Sequence, residues 1–237
     1  MKTLSLILMM AICHISFGQD YHSEFLKLCQ SSKKDTLKQL TLLTEWEKAS
    51  PEDPELFTSY FNYYFSKSKR FGLTLTQSPP EGEVLTIYDS TDQAQGFLVD
   101  DLFFEEAEFQ KGIDKLNQGI KLYPNRLDMR FGKAYALGKK KDWAAFTETI
   151  KETIIYSSTN NQRWQWTLND SLPDAEEVFF TSLHDYQLQL YNTGNKDLLV
   201  NMREIALEIL TYYPDHVVSL SNVAITYLLA EQPDKAL

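Results

Sequence analysis

Pairs of amphipathic helices separated by proline restrict the folds that this sequence can adopt. Near the C-terminal end, one predicted helix stops before Pro214, and the next carries Leu220, Val223, Ala224 and Tyr227. A small residue such as Ala224 lets two helices approach closely, and the tyrosine fills the gap beside it. Proline ends a helix because it cannot continue the hydrogen-bond ladder. The pattern therefore predicts helices packed in antiparallel pairs.

These spacings resemble the tetratricopeptide repeat (TPR), in which W-x2-L-G-x2-Y is followed by A-x3-F and a proline, with a period near 34 residues. Leucine stands here in place of the leading tryptophan. The resemblance covers most of residues 33–237 and implies an all-α, TPR-like α-α solenoid, a right-handed superhelix of antiparallel helix pairs. A generic antiparallel helical array is the alternative. Partial copies of the pattern lie at residues 57–64, 112–124, 131–135 and 202–214.

Two segments interrupt the helical period. Residues 69–100 alternate apolar and polar side chains around turn-forming sequences, which predicts an inserted β-hairpin. A two-stranded hairpin is marginally stable in water, so we expect its apolar face to pack on the helices, with a partner protein as the alternative. Residues 157–172 are polar around Trp164 and Trp166, and we expect a loop inserted between repeats.

The last repeat is expected to be truncated at residue 237. Its second helix would begin near Asp234, so Leu220, Val223 and Tyr227 lack the helix on which they would pack. We therefore expect an exposed apolar surface at this end of the array.

Residues 1–18 have the features of a secretory signal peptide. Lys2 precedes a short apolar run, and Ser16 and Gly18 are small residues that suit cleavage after Gly18. An uncleaved membrane anchor is the alternative, but a span needs about 20 apolar residues. We expect an exported protein, periplasmic or extracellular, whose residues 19–237 form a TPR-like helical repeat domain without a membrane span.

The two cysteines bear on export and on stability. Lipidation of Cys13 is disfavoured because Ile12 is large where lipoprotein signals carry a small residue. Only Cys29 remains after cleavage, and one cysteine cannot form an internal disulfide. The exported chain must then be held together by packing alone.

The charge balance restricts the partners. The chain has 33 acidic and 23 Lys or Arg residues and a net charge of −10. Nucleic acid and anionic lipid both require a basic surface, so neither is an expected partner. The expected partner is another protein or a peptide.

The sequence offers little for catalysis. His22, His184 and His216 are far apart and lack the spacing of metal ligands, and no phosphate-binding or nucleophile motif is present. We therefore expect no metal, no cofactor and no catalytic residue.

A row of polar residues is the first candidate for partner binding. Arg130 and Lys133 lie three residues apart, Arg126 precedes them, and Asn62 lies on the corresponding helix one repeat earlier. TPR proteins that grip a carboxylate use such residues on the concave wall, although the full clamp pattern is absent here. We expect Arg130 and Lys133 to lie outside the packed face, where they would bind a carboxylate. A merely solvated helix face is the alternative.

The function predicted from these features is that of a non-catalytic exported TPR scaffold, which mediates protein–protein interaction through a concave helical groove. The alternative is a glycan- or peptide-capturing subunit of an envelope uptake system, with Trp164 and Trp166 as stacking platforms. An enzyme ranks third. Glycan binding requires exposed tryptophans, whereas a scaffold would bury them between repeats.

Overall fold

The computed structural model describes residues 20–31, 35–78 and 84–236. It is mostly helical with one small antiparallel sheet, as the sequence predicts. The predicted signal peptide, residues 1–18, lies outside the described residues. The helices are α1 (20–30), α2 (Thr36–Ala49), α3 (Pro54–Ser68), α4 (Glu106–Leu122), α5 (Leu127–Lys140), α6 (Trp143–Asn160), α7 (Ala175–Tyr191), α8 (Leu199–Tyr212) and α9 (Val217–Leu229), and the strands are β1 (Lys69–Thr76), β2 (Leu85–Tyr88) and β3 (Ala94–Phe104).

The helices begin and end where caps and prolines predict. Helix α2 ends before Pro51, α4 ends before Pro124, and α8 ends before Pro214. Asp53 caps the start of α3, because its side-chain Oδ1 accepts a hydrogen bond from the Glu55 N–H at 2.9 Å. These signals are local, because each depends only on residues near the helix end.

Consecutive helices pack against each other, with α3 against α4, α5 against α6, and α8 against both α7 and α9. Glycine allows the closest approach of α3 and α4. A Cβ atom on Gly112 would lie 3.3 Å from Tyr64 Cβ, and one on Gly119 would lie 2.9 Å from Phe57 Cβ. The small positions of the repeat pattern are therefore packing positions.

The buried apolar residues form two clusters that meet on α3. The smaller cluster joins α1 and α2 to one side of α3 and includes Trp46 of α2 and Tyr60 of α3. The larger cluster begins with Phe57 and Phe61 on α3 and continues through α4 to α8 as far as Ile209. Helix α3 therefore connects the N-terminal helices to the rest of the stack.

The inserted segment is a three-stranded sheet instead of the predicted two-stranded hairpin. The strand order is β1-β3-β2, and β3 pairs antiparallel with both neighbours. The segment also extends past residue 100, to Phe104, which stacks on Phe65 at 5.4 Å and meets Phe109 at 5.3 Å. These aromatic contacts anchor the base of the sheet to α3 and α4.

The C-terminal end exposes part of the apolar surface that the sequence predicts. In α9, Leu220 is exposed, and Val223 and Tyr227 are half-buried. The helix expected from Asp234 is a single 3-10 turn, Pro233–Lys235, within the residues described. No helix in the described part of the chain combines the length and apolar character of a bilayer span.

Candidate functional site

One face of the sheet is apolar and open to solvent. Directly opposite residues of an antiparallel pair point to the same face, so the pairing of Leu75 with Leu98 and of Leu85 with Leu98 places all three together. No helix of the described residues covers this surface, and the exposed fractions run from 40% for Ile87 to 85% for Phe71. The expected packing of the apolar face on the helices is therefore wrong. We name its five exposed apolar residues the sheet face: Phe71, Leu73, Leu75, Leu85 and Ile87.

A carboxylate lies within the sheet face. Asp100 of β3 is directly opposite Leu73 of β1 and is exposed. Within the described structure, its side chain has no hydrogen bond or ion pair. The next residue, Asp101, points to the other face, where it accepts a hydrogen bond from Thr74 and pairs with Lys141 at 3.4 Å. Burial raises the pKa of Asp101, but the Leu102 N–H, Thr74 and Lys141 outweigh it and lower the pKa below its usual range.

A second open apolar surface lies between α7 and α9. We name it the helix groove; its volume is about 500 Å³. Leu188 and Tyr191 line it from α7, and Val217, Val218 and Ile225 line it from α9. Grooves of this size and character accept apolar ligands or peptide side chains.

The sequence of α9 explains why its apolar residues face outward. The helix packs through buried Ser219, Asn222 and Thr226. Asn222 Nδ2 donates to Oε1 of the buried Gln187 at 3.0 Å, which joins α9 to α7. Because the small polar residues occupy the packed face, the valine, leucine and isoleucine residues lie on the groove side and in solvent.

One histidine lines the helix groove, and a second caps the helix that forms one of its walls. His184 lines it, and the Nδ1 atom of His184 is buried without a hydrogen-bond partner among the described residues. His216 is the N-cap of α9: its Nδ1 accepts from the Ser219 N–H at 3.3 Å, and its ring stacks on Phe180 at 4.6 Å. Burial and the nearby His184 lower the pKa of His216.

Arg126, predicted to contact a partner, is fully buried. Its guanidinium donates to both carboxylate oxygens of Asp128 at 2.8 Å and, through Nη1, to Glu55 Oε1 at 2.7 Å and Asn169 Oδ1 at 3.2 Å. Burial lowers the pKa of Arg126, but the hydrogen bonds and charges of Asp128 and Glu55 outweigh it and raise the pKa. The observed role of this side chain is to hold α3, α5 and the 161–174 loop together.

Arg130 is also buried, which makes the expectation that it lies outside the packed face wrong. Its guanidinium lies 4.4 Å from the Tyr156 ring centre and 6.0 Å from that of Trp164, and Nε donates to the Pro124 carbonyl. Burial lowers the pKa of Arg130. Aromatic rings and a carbonyl contact this charge, and among the described residues it forms no ion pair with a carboxylate.

The remaining candidates are distributed over the molecule. Lys133 is half-buried in a cleft between α4 and α6, 3.9 Å from Glu152, and Asn62 is exposed on α3 outside the lining of that cleft. Trp164 is buried and stacks on Phe179 at 5.6 Å, whereas Trp166 is 38% exposed. The predicted row is not one continuous surface, and partner binding by these six residues stays a prediction.

The described residues offer no group of three or more His, Cys, Asp or Glu side chains arranged to hold a metal ion. Comparison of the chain with protein-family models, with curated protein sequences and with solved structures gave no match. The two open apolar surfaces are therefore the features of the described structure that bear on function.

Proposed function

We propose that this chain is a non-catalytic, exported scaffold of TPR-like helix pairs that binds another protein or a peptide in the helix groove. The observation that carries the proposal is the open apolar groove of about 500 Å³ between α7 and α9. The packing of α3 with α4, α5 with α6, and α7 with α8 supports the repeat architecture. The TPR resemblance makes α7 and α9 the first helices of successive repeats.

The groove suits a peptide with alternating or helical apolar side chains and one polar group. Removing its apolar walls from water favours binding by about 25 cal/mol per Å² of apolar surface buried. The unpaired Nδ1 of His184 sits in the lining, where a ligand hydrogen bond would satisfy it. Because α9 is tied to α7 by the Asn222–Gln187 hydrogen bond, the groove walls are preorganised.

The glycan-capturing alternative is less well supported. A stacking platform needs exposed aromatic rings, and Trp164 is buried on Phe179 while only part of Trp166 is exposed. A peptide-capturing subunit of an uptake system is compatible with the helix groove. That alternative predicts that the same groove residues bind the peptide.

The test uses peptides selected from a random 12-residue library on the immobilised mature chain. Their affinities are measured by fluorescence anisotropy for the wild type, for Ile225→Asp in the groove, and for Leu207→Asp, an equally exposed site on α8 outside the groove lining. We expect Ile225→Asp to weaken binding at least tenfold, about 1.4 kcal/mol, and Leu207→Asp to leave it unchanged. Failure to enrich any peptide, or equal binding to all three proteins, would refute the proposal.

A further inference from the structure

We infer that the sheet face is a separate docking surface for a basic amphipathic helix of another protein, with a Lys or Arg of that helix paired to Asp100. The inference does not depend on the helix groove, which lies on other helices. It rests on the exposed apolar side chains, on the position of Asp100, and on the dimensions of the sheet.

The apolar residues of the sheet face are not needed for the interior of the chain. The sheet is anchored at its base by Phe104, while Phe71, Leu73 and Leu85 are each at least 60% exposed. Clustered apolar side chains of this kind mark interaction sites in soluble proteins. Small sheets also gain stability when their apolar face is packed against a helix.

The position of Asp100 determines the charge of the partner. A surface that covers Leu73 also covers the carboxylate directly opposite it. Removing an unpaired carboxylate from water is costly unless a cation meets it. The basic residue on the same face, Lys69, is turned onto the Phe65 ring, 4.4 Å from its centre, and so points away from this position. The cation must therefore come from the partner.

A second copy of this chain fits poorly. A two-fold packing of two sheet faces centred on Leu73 would bring the two Asp100 carboxylates together, and each chain has a net charge of −10. Like charges at an interface disfavour association. A helix fits the dimensions, because three strands at about 4.8 Å spacing span roughly the 10 Å diameter of a helix.

The experiment uses two 16-residue model helices with a leucine stripe, one with Lys and one with Glu at the centre of the stripe. Affinities are measured by isothermal titration calorimetry, with circular dichroism as a check of each variant's fold. For the wild type, we expect the Lys helix to bind at least tenfold more tightly than the Glu helix. Asp100→Lys should reverse this preference. Asp114→Lys, which makes the same charge change on exposed α4, should leave the preference unchanged.

Several outcomes would overturn the inference. One is that the Lys helix does not bind the wild type at millimolar concentration. Another is that Asp100→Lys prefers the Lys helix over the Glu helix as strongly as the wild type does. Equal effects of Asp100→Lys and Asp114→Lys would assign the preference to net charge. A wild-type dimer that Leu73→Asp dissociates in sedimentation equilibrium would make a second copy the occupant. Ile225→Asp should not change helix binding, so a failure here is distinguishable from a failure of the groove proposal.

Discussion

Replacing Arg126 with Met should be among the most destabilising single substitutions in this chain. The guanidinium is fully buried and makes four hydrogen bonds, two to Asp128 and one each to Glu55 and Asn169. Methionine fills much of the same volume but leaves two carboxylates in the interior without their cation. Breaking a buried ion pair by removing one partner costs about 3–5 kcal/mol.

That cost is a large part of the total, since domains are stable by about 5–15 kcal/mol. For a chain of this size, 1 kcal/mol lowers the melting temperature by about 2–4 °C. We therefore expect Arg126→Met to melt on the order of 10 °C below the wild type by circular dichroism, with a matching loss in urea denaturation. The exposed ion pair of Lys38 with Asp35 is the control, and Lys38→Met should cost less than about 1 kcal/mol.

A triple variant separates charge from packing. Arg126→Met combined with Glu55→Gln and Asp128→Asn removes the uncompensated charges but keeps an acceptor for the Leu168 N–H, which donates to Glu55 Oε1 at 2.7 Å. If buried charge causes the loss, the triple variant should be more stable than Arg126→Met alone. A triple variant that is equally or less stable would refute this reasoning and assign the loss to packing of the arginine stem.

Three further substitutions test the local geometry. The lowered pKa of His216 means that the folded chain binds this proton more weakly than the unfolded chain, so stability falls as pH drops below about 6.5. His216→Asn keeps an N-cap and should lose less stability between pH 7.5 and 5.0 in urea denaturation; equal losses would contradict this. Gly119→Ala should destabilise by about 1–3 kcal/mol, because its Cβ would lie 2.9 Å from Phe57 Cβ. Gly132→Ala has room and should stabilise by up to about 1 kcal/mol in the same thermal melt; a loss there would contradict the packing argument.

The helices were the most predictable part of the fold because their signals are local. The Asp53 cap and the stops before Pro51, Pro124 and Pro214 depend only on neighbouring residues. The third strand was less predictable. The alternation of apolar and polar residues identified the segment. The pairing of β3 with both β1 and β2 could not be predicted from that pattern, because it is a tertiary contact between strands separated by turns of different length.

The burial of Arg126 and Arg130 could not be read from the sequence. Charged residues spaced along a helix usually indicate a solvated face. Here Glu55, which neutralises Arg126, lies 71 residues earlier in the chain, and the rings that hold Arg130 come from α6 and the following loop. In contrast, the alternation of Leu73 and Leu75 with threonine did identify two apolar residues of the sheet face, although the surface that would cover them was assigned wrongly.

The two open apolar surfaces have a common physical consequence. The interior is complete without the exposed residues of either surface, since Trp46, Leu127 and Ile209 are fully buried in clusters that contain none of those exposed residues; of the groove lining, the clusters contain the buried Met202. An exposed apolar sheet with two free edge strands favours aggregation, and the net charge of −10 opposes it by mutual repulsion. The negative charge repels other copies of the chain, but it attracts a basic partner. The charge that opposes aggregation therefore also favours the helix that we infer for the sheet face.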